Sequence, residues 1–450
     1  MTGSTGKPNP LDKRKIYVFI MAGVVAGLSP VLMGIDRLYI PVLAGTCVLA
    51  GLLVYKYHWV VVLNTLLLSV VFFEPAPCDT LFVPLFIFGI AGDYIELAKL
   101  QGCKVVVLSF ILFAILNTLQ LFYITDMEAG IRYYVITLYL IIFCLYLFMY
   151  VSRKNMKGLL MAYIVSGTLS ALLGVSAHIG VFPSLLMYDQ YRIKAFFKDP
   201  NVLGPFLVPA VLMLLDDMRG KRLIRYPVWV HTILIIINLL GIIASFSRGA
   251  WLNLAVCILL YFALNIRKID YKSVNYKRLL IYVTIVAIAG LLIWNYGLSH
   301  EMKNFILSRL GLQLYDTDRF AVQNAGIRLA LLNPLGYGPG QFEYAVMDQT
   351  GVHFSAHNFF IRLSAENGVA GFGIFISSLV YIFYRLILDF RRERSYAVLT
   401  PAALLAILAG TMINSMVIDT LHWRHLWFFI GVSMANIFPE KGEGSGNTGV

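Results

Sequence analysis

The sequence predicts an all-α, polytopic membrane protein. First, 59% of its 450 residues are hydrophobic and only 13% are charged, with a mean hydropathy of +0.77. A soluble domain is near half apolar and a quarter charged, so the surplus is lipid-facing surface. Second, the apolar residues come in long runs, many near the roughly 20 residues that cross a bilayer as a helix; barrel strands would be short and alternating. Third, Lys and Arg alternate between successive connections, as cytoplasmic loops require.

Taken in order, the runs place spans near 16–34, 38–55, 58–73, 80–97, 104–123, 132–152, 157–180, 201–215, 226–245, 248–266, 278–297, 359–384, 397–417 and 422–438. Two are short, so about 12–14 crossings are expected. Residues 1–15 read as a cytoplasmic N-terminus, 16–438 as one transmembrane domain, and the Gly-rich 439–450 as a disordered cytoplasmic tail. The run at 16–33 is too long for a signal-peptide core and lacks a convincing cleavage site. The five cysteines contain no CxxC pair, so neither a disulfide framework nor a zinc site is suggested. The net charge of +12 is assigned to the membrane surface, not to nucleic acid.

With the N-terminus inside, "SRKNMK", "DDMRGKRLIR", "NIRKIDYKSVNYKR" and "YRLILDFRRERS" all fall in the cytoplasm, and 24 of the 36 Lys and Arg lie inside. The external exceptions crowd after residue 180: Arg192, Lys194, Lys198, Arg248, Lys303, Arg309, Arg319, Arg328, Arg362 and Arg424. A large external loop, about 299–358, is long enough to relax the rule. The loops holding Arg192 and Arg248 are short, and an anionic external ligand would explain them. Within the large loop, "EMKNFILSRLGL" reads as an interfacial amphipathic helix. "TDRFAVQNAGIRLALLNP" reads as a second helix, with Thr317 as N-cap and Asn333-Pro334 as its stop. "LGYGPGQF" reads as a turn; backbone N–H groups could also cradle phosphate there, but no P-loop lysine follows.

The chemistry-bearing stretch is "SAHNFFIRLSAENGVAGFG", Ser355 to Gly373. His357 and Asn358 sit where the external loop enters a membrane helix. Arg362 and Glu366 are four apart, share a helix face and can pair. Each charge is expensive at membrane depth, so such groups face a cavity or the bundle interior. Gly368 and Gly371 would allow close helix packing. Either the stretch is a capped helix with one structural ion pair, or it is an active site with a histidine base. His353 and His357 also form an H-x-x-x-H pair, but no third ligand accompanies them, and no metal is expected. In "SFSRGAW", Arg248 either snorkels at a turn or points into a cavity to grip phosphate. In "YDQYRIKAFFKDPNVLGPF", Arg192 and Lys198 either decorate a capped loop or line the same anion site, with Asp199 or Asn201 as helix cap.

These stretches, "DPNVLGPFL", "SFSRGAW", "NPLGYGPGQF" and "HNFFIRLSAENGVAG", make the chain resemble the O-antigen ligase and O-antigen polymerase family of bacterial membrane glycosyltransferases. The most specific is His357-Asn358, nine residues, then Gly368-x-x-Gly371. The resemblance implies a GT-C-like fold in the cytoplasmic (inner) membrane, with the active site facing the periplasm. It implies an undecaprenyl-pyrophosphate-linked glycan donor and a glycan or lipid A-core acceptor, with no metal or other cofactor. By the same resemblance His357 is catalytic and external arginines (Arg192, Arg248, Arg319, with Lys198 and Asn358) bind the donor. One departure is the lack of any Trp between Trp294 and Trp423, where relatives often carry one after an Asp-Arg pair. Two other readings share the basic cavity: a lipid-linked oligosaccharide transporter or flippase, and a non-catalytic subunit of a polysaccharide assembly complex. A relative of the peptidoglycan-polymerising SEDS enzymes would share the many-spanning design.

Overall fold

The structure is a computed structural model that describes residues 51–220, 223–266, 293–311, 314–351, 353–392 and 398–438, with Leu49 and Leu291. The spans expected at 16–34, 38–55 and 278–297, and both termini, lie wholly or largely outside the described residues. Within them the chain is a helix bundle. Its helices are α1 (Tyr57–Leu66), α2 (Pro77–Ala91), α3 (Lys104–Gln120), α4 (Met127–Tyr150), α5 (Arg153–His178), α6 (Pro200–Gly220) and α7 (Val228–Ala244). They continue as α8 (Arg248–Asn265), α9 (His300–Leu310), α10 (Leu314–Leu332), α11 (Phe342–Thr350), α12 (Phe359–Arg391), α13 (Pro401–Asn414) and α14 (Arg424–Ile437). Among the described residues, α3 together with the 3-10 turn before it (Leu97–Gln120), α4, α5, α6, α8 and α12 are long and apolar enough to cross a membrane, and α1, α2, α7 and α13 are shorter apolar helices.

Polar side chains tie the two ends of the bundle. At one end Asp216, closing α6, accepts hydrogen bonds from Tyr261 of α8 (3.0 Å) and from the Thr400 hydroxyl (2.7 Å) and N–H (3.0 Å) at the head of α13. Its neighbour Asp217 accepts from His231 of α7 at 2.8 Å and from the N–H groups of Leu223 and Ile224. These bonds satisfy carboxylates that would otherwise be costly to bury. At the other end α6, α8 and α12 begin and α7 and α13 finish, so the segments "DPN", "SFSR" and "HN" meet there.

The large loop folds into α9, α10 and α11. A small apolar cluster of Val322, Leu329, Phe342 and Val346 seats α10 and α11 on the head of α12 through Ala356 and Ala365. Ser299, not a residue of the sequence-expected helix, caps α9 by accepting from the Met302 N–H. Helix α10 starts at Leu314, about a turn before the expected cap, so Thr317 lies inside it.

Gly368 corrects the sequence expectation. It does not pack a straight helix: its φ of 64° and ψ of −173° break α12 there. The break exposes backbone groups, and the "LGYGPGQ" loop takes them up. Tyr337 N–H donates to Ala365 O (3.0 Å), Gly338 N–H to Glu366 O (2.8 Å), and Val369 N–H to Pro334 O (3.0 Å). A Cβ on Gly336 would stand 2.2 Å from Glu366 O, and one on Gly368 2.2 Å from Pro334 O. The loop glycines and the helix glycine therefore fit only each other. Gly371, by contrast, serves close packing, since a Cβ there would meet Leu116 of α3 at 2.8 Å. Gly368→Ala is expected to destabilise the protein by at least the roughly 1–3 kcal/mol of a Gly-only backbone conformation. An unchanged melting temperature in detergent would rule the clasp out.

Candidate functional site

A cavity of about 430 Å³ opens where α6 and α8 begin and α13 ends, with α10 over it. Arg192, Arg248, Arg309 and Arg319 all line it, and no carboxylate does among the described residues. Leu252, Phe320, Met416 and Val417 supply an apolar wall and are themselves partly exposed. A tight local turn presents Arg192. Asp189 accepts from the N–H groups of Tyr191 (2.9 Å) and Arg192 (2.8 Å), while Tyr188 N–H donates back to Arg192 O at 2.8 Å. The Arg192 guanidinium then donates to Ser245 O (3.1 Å) and Asn201 Oδ1 (3.1 Å). Asp199 is the cap of α6, accepting from Asn201 N–H at 2.7 Å, which frees the Asn201 side chain to hold the arginine. Burial, and the charge of Arg309, pull the Arg192 pKa below its ordinary value.

Arg248 is the first residue of α8, whose N-cap Ser247 accepts from Ala250 N–H. It donates to Gly311 O at 3.1 Å, and Arg309 donates to Phe246 O at 3.1 Å. The bundle thus contributes two of the cavity arginines and the loop helices the other two. The backbone is irregular around them: Ala195, Phe246 and His357 have φ of 47°, 48° and 43°. Non-glycine residues hold such angles only where surroundings over-determine them, and they gather at functional sites.

His357 immediately precedes α12. Its neighbours are pinned to two cavity walls: Gln323 donates to Ala356 O at 3.2 Å, and Asn358 Nδ2 donates to Met416 O at 2.9 Å. Gln323 and Met416 line the cavity; His357 stands behind them, half-buried, edge-on to Phe354 at 5.4 Å. Burial first, and then the charge of Arg319, push its pKa down to about 4. The imidazole is therefore neutral near pH 7 and able to accept a proton.

The other sequence-nominated residues divide. Asn358 caps α12, accepting from Ile361 N–H at 3.1 Å, so both ends of its amide are engaged in structure. Lys198 does not line the cavity; it pairs with Glu74 at 2.9 Å, both half-exposed. Arg362 does pair with Glu366, at 3.0 Å, but also with Glu343 (2.9 Å) and Asp419 (3.2 Å), and it lies 4.7 Å from the Tyr133 ring centre. Arg424 is bound to Asp79 of α2. His353 is exposed against Tyr344. Among the described residues no three His, Cys, Asp or Glu side chains converge as a metal-ligand set. Sequence reasoning missed Arg309, although it shared the charge exception of the other three arginines. It also missed Asn201, Gln323, Asn414, Glu343 and Asp419, whose roles depend on long-range contacts.

Residues 233–376 match the family model described as O-antigen ligase. The match runs from α7 through α8 and the loop helices into α12. It takes in "SFSRGAW", "NPLGYGPGQF" and the His357 stretch, and it supports assigning the chain to the O-antigen ligase family. No curated protein matches the chain.

Proposed function

We propose that this chain, which carries an O-antigen ligase segment, is a metal-independent membrane glycosyltransferase. It takes a glycan from undecaprenyl pyrophosphate and joins it to an acceptor sugar hydroxyl, in lipid A core as a ligase or in a growing glycan as a polymerase. The observation that carries this reading is the cavity: four arginines line it, faced by an apolar wall. Its volume is that of a small-ligand site. Guanidinium groups suit the pyrophosphate, because they fork to phosphate oxygens and stay charged. The apolar residues suit the first isoprene units. Phe320, directly after Asp318-Arg319, supplies an aromatic ring where relatives often have Trp.

In the reaction the acceptor oxygen attacks the anomeric carbon. The bond from that carbon to the pyrophosphate oxygen breaks, and its electron pair leaves with the lipid pyrophosphate. The acceptor proton passes to His357. Fixed arginines stabilise the charge that grows on the leaving group, the task a divalent ion performs elsewhere. The site faces the periplasmic side of the inner membrane, where both lipid-linked glycan and acceptor are presented.

The test uses the purified full chain with an undecaprenyl-pyrophosphate-linked donor. Lys in place of Arg192, Arg248, Arg309 or Arg319 is expected to weaken donor binding about tenfold or more, because the forked contact is lost while the charge remains. Transfer is expected to continue in EDTA. Donor translocation without transfer, or activity lost with EDTA and restored by magnesium or manganese, overturns the reading.

A further inference from the structure

Asn414 ends α13 with its side chain fully buried, and it lines the arginine cavity. Among the described residues neither its amide nitrogen nor its amide oxygen has a hydrogen-bond partner. Buried polar groups are normally paired, and an unpaired amide is costly. Its two hydroxyl neighbours on the chain are satisfied at home: the Thr411 hydroxyl donates to Ile407 O (2.8 Å) and the Ser415 hydroxyl to Thr411 O (2.7 Å). Neither hydroxyl donates to the Asn414 amide, which stands in the cavity wall. Space is reserved for it across the helix interface. A Cβ on Gly249 would stand 2.6 Å from Asn414 Oδ1, so only glycine beside Arg248 admits the amide there.

Its chemistry differs from that of the arginines. Guanidinium groups only donate hydrogen bonds, which suits phosphate oxygens; a sugar hydroxyl or acetamido N–H also needs an acceptor. Asn414 Oδ1 is such an acceptor, in the wall of a cavity already furnished with guanidinium donors. We propose that Asn414 binds the sugar next to the pyrophosphate, its carbonyl accepting from a sugar O–H or N–H and its NH2 donating to a ring-substituent oxygen. The cavity is then a glycosyl-pyrophosphate subsite that distinguishes a loaded carrier from the bare lipid pyrophosphate it releases. This rests on the cavity being the donor pyrophosphate site.

Two probes separate the claims: undecaprenyl pyrophosphate alone, and the same lipid carrying one sugar. Asn414→Leu keeps the size and removes both polar atoms. It is expected to melt at or above the wild-type temperature, because it relieves a buried unpaired amide. Binding of the sugar-bearing probe is expected to fall about five- to tenfold, as for loss of a hydrogen bond, with the bare probe almost unaffected. Equal binding of both probes by wild type and Asn414→Leu, as for an amide that meets only water, overturns the proposal. So does an equal loss of both probes. Should Asn414→Leu not fold, Asn414→Ala is read by the same comparison. Arg248→Gln tests the premise separately: if it leaves the bare probe bound as in wild type, the pyrophosphate reading fails instead.

Discussion

Replacing His357 by glutamine is expected to cut glycan transfer by roughly 10²–10⁴-fold, the usual worth of a positioned general base. Donor binding should stay close to wild type, because the ring stands behind the arginine cavity and not among its lining residues. Glutamine keeps size and polarity but cannot take a proton near neutral pH. Near-wild-type kcat in that variant, with purified donor and acceptor, removes the histidine base from the mechanism. The pH profile gives a second, independent readout. The imidazole pKa is held down to about 4 by burial and by Arg319, so the free enzyme keeps its base form well below the 6.5 of an unperturbed histidine. The acid limb of kcat/KM, which reports the free enzyme, should therefore lie near 4. Arg319→Gln removes a positive charge that opposes protonation, so the pKa rises and the limb moves to higher pH. A limb that stays in place denies His357 the role of the titrating group.

The sequence made the bundle legible because burial in lipid leaves a strong one-dimensional signal. The runs read at 104–123, 132–152 and 248–266 fold as Lys104–Gln120, Met127–Tyr150 and Arg248–Asn265. Part of the site was legible for a related reason. Arg192 and Arg248 violate a charge rule in short loops, and a violated rule points to a compensating cause. The same reasoning was too coarse for Lys198, whose charge meets Glu74 at the surface. The break at Gly368 was invisible because a glycine in an apolar run reads equally as packing or as a kink. Only the loop carbonyl of Pro334, more than thirty residues away in sequence, decides between them. Asn414 gave no signal either, since an asparagine at the end of an apolar helix looks like a cap. Its meaning lies in the partners it lacks.

Arg362 shows how such contacts change an expectation. Read from sequence, it and Glu366 form an i,i+4 pair, and removing both charges should recover part of what Glu366→Gln loses. In the structure one guanidinium serves three carboxylates. Glu343 comes from α11, Glu366 from the next turn of α12, and Asp419 from the turn that follows the cavity residues Met416 and Val417. Arg362 is 11% exposed and Glu366 1%, so little water is present to replace a lost partner. Arg362→Gln leaves three acids facing one another and is expected to cost about 3–5 kcal/mol, the range for stranding buried charge. Glu366→Gln should cost much less. The arginine keeps Glu343 and Asp419, and the new amide oxygen can still accept from Arg362 and from the Phe342 N–H that now bonds the carboxylate at 3.2 Å. The double variant still confronts Glu343 with Asp419 and should recover only a minor part of the Arg362→Gln loss. Thermal or denaturant unfolding of the four proteins measures this as a double-mutant cycle. Full recovery, or equal losses in the two single variants, would return Arg362 and Glu366 to an isolated pair. The predicted order instead makes Arg362 the joint that ties the loop helices and the cavity wall to the helix behind His357.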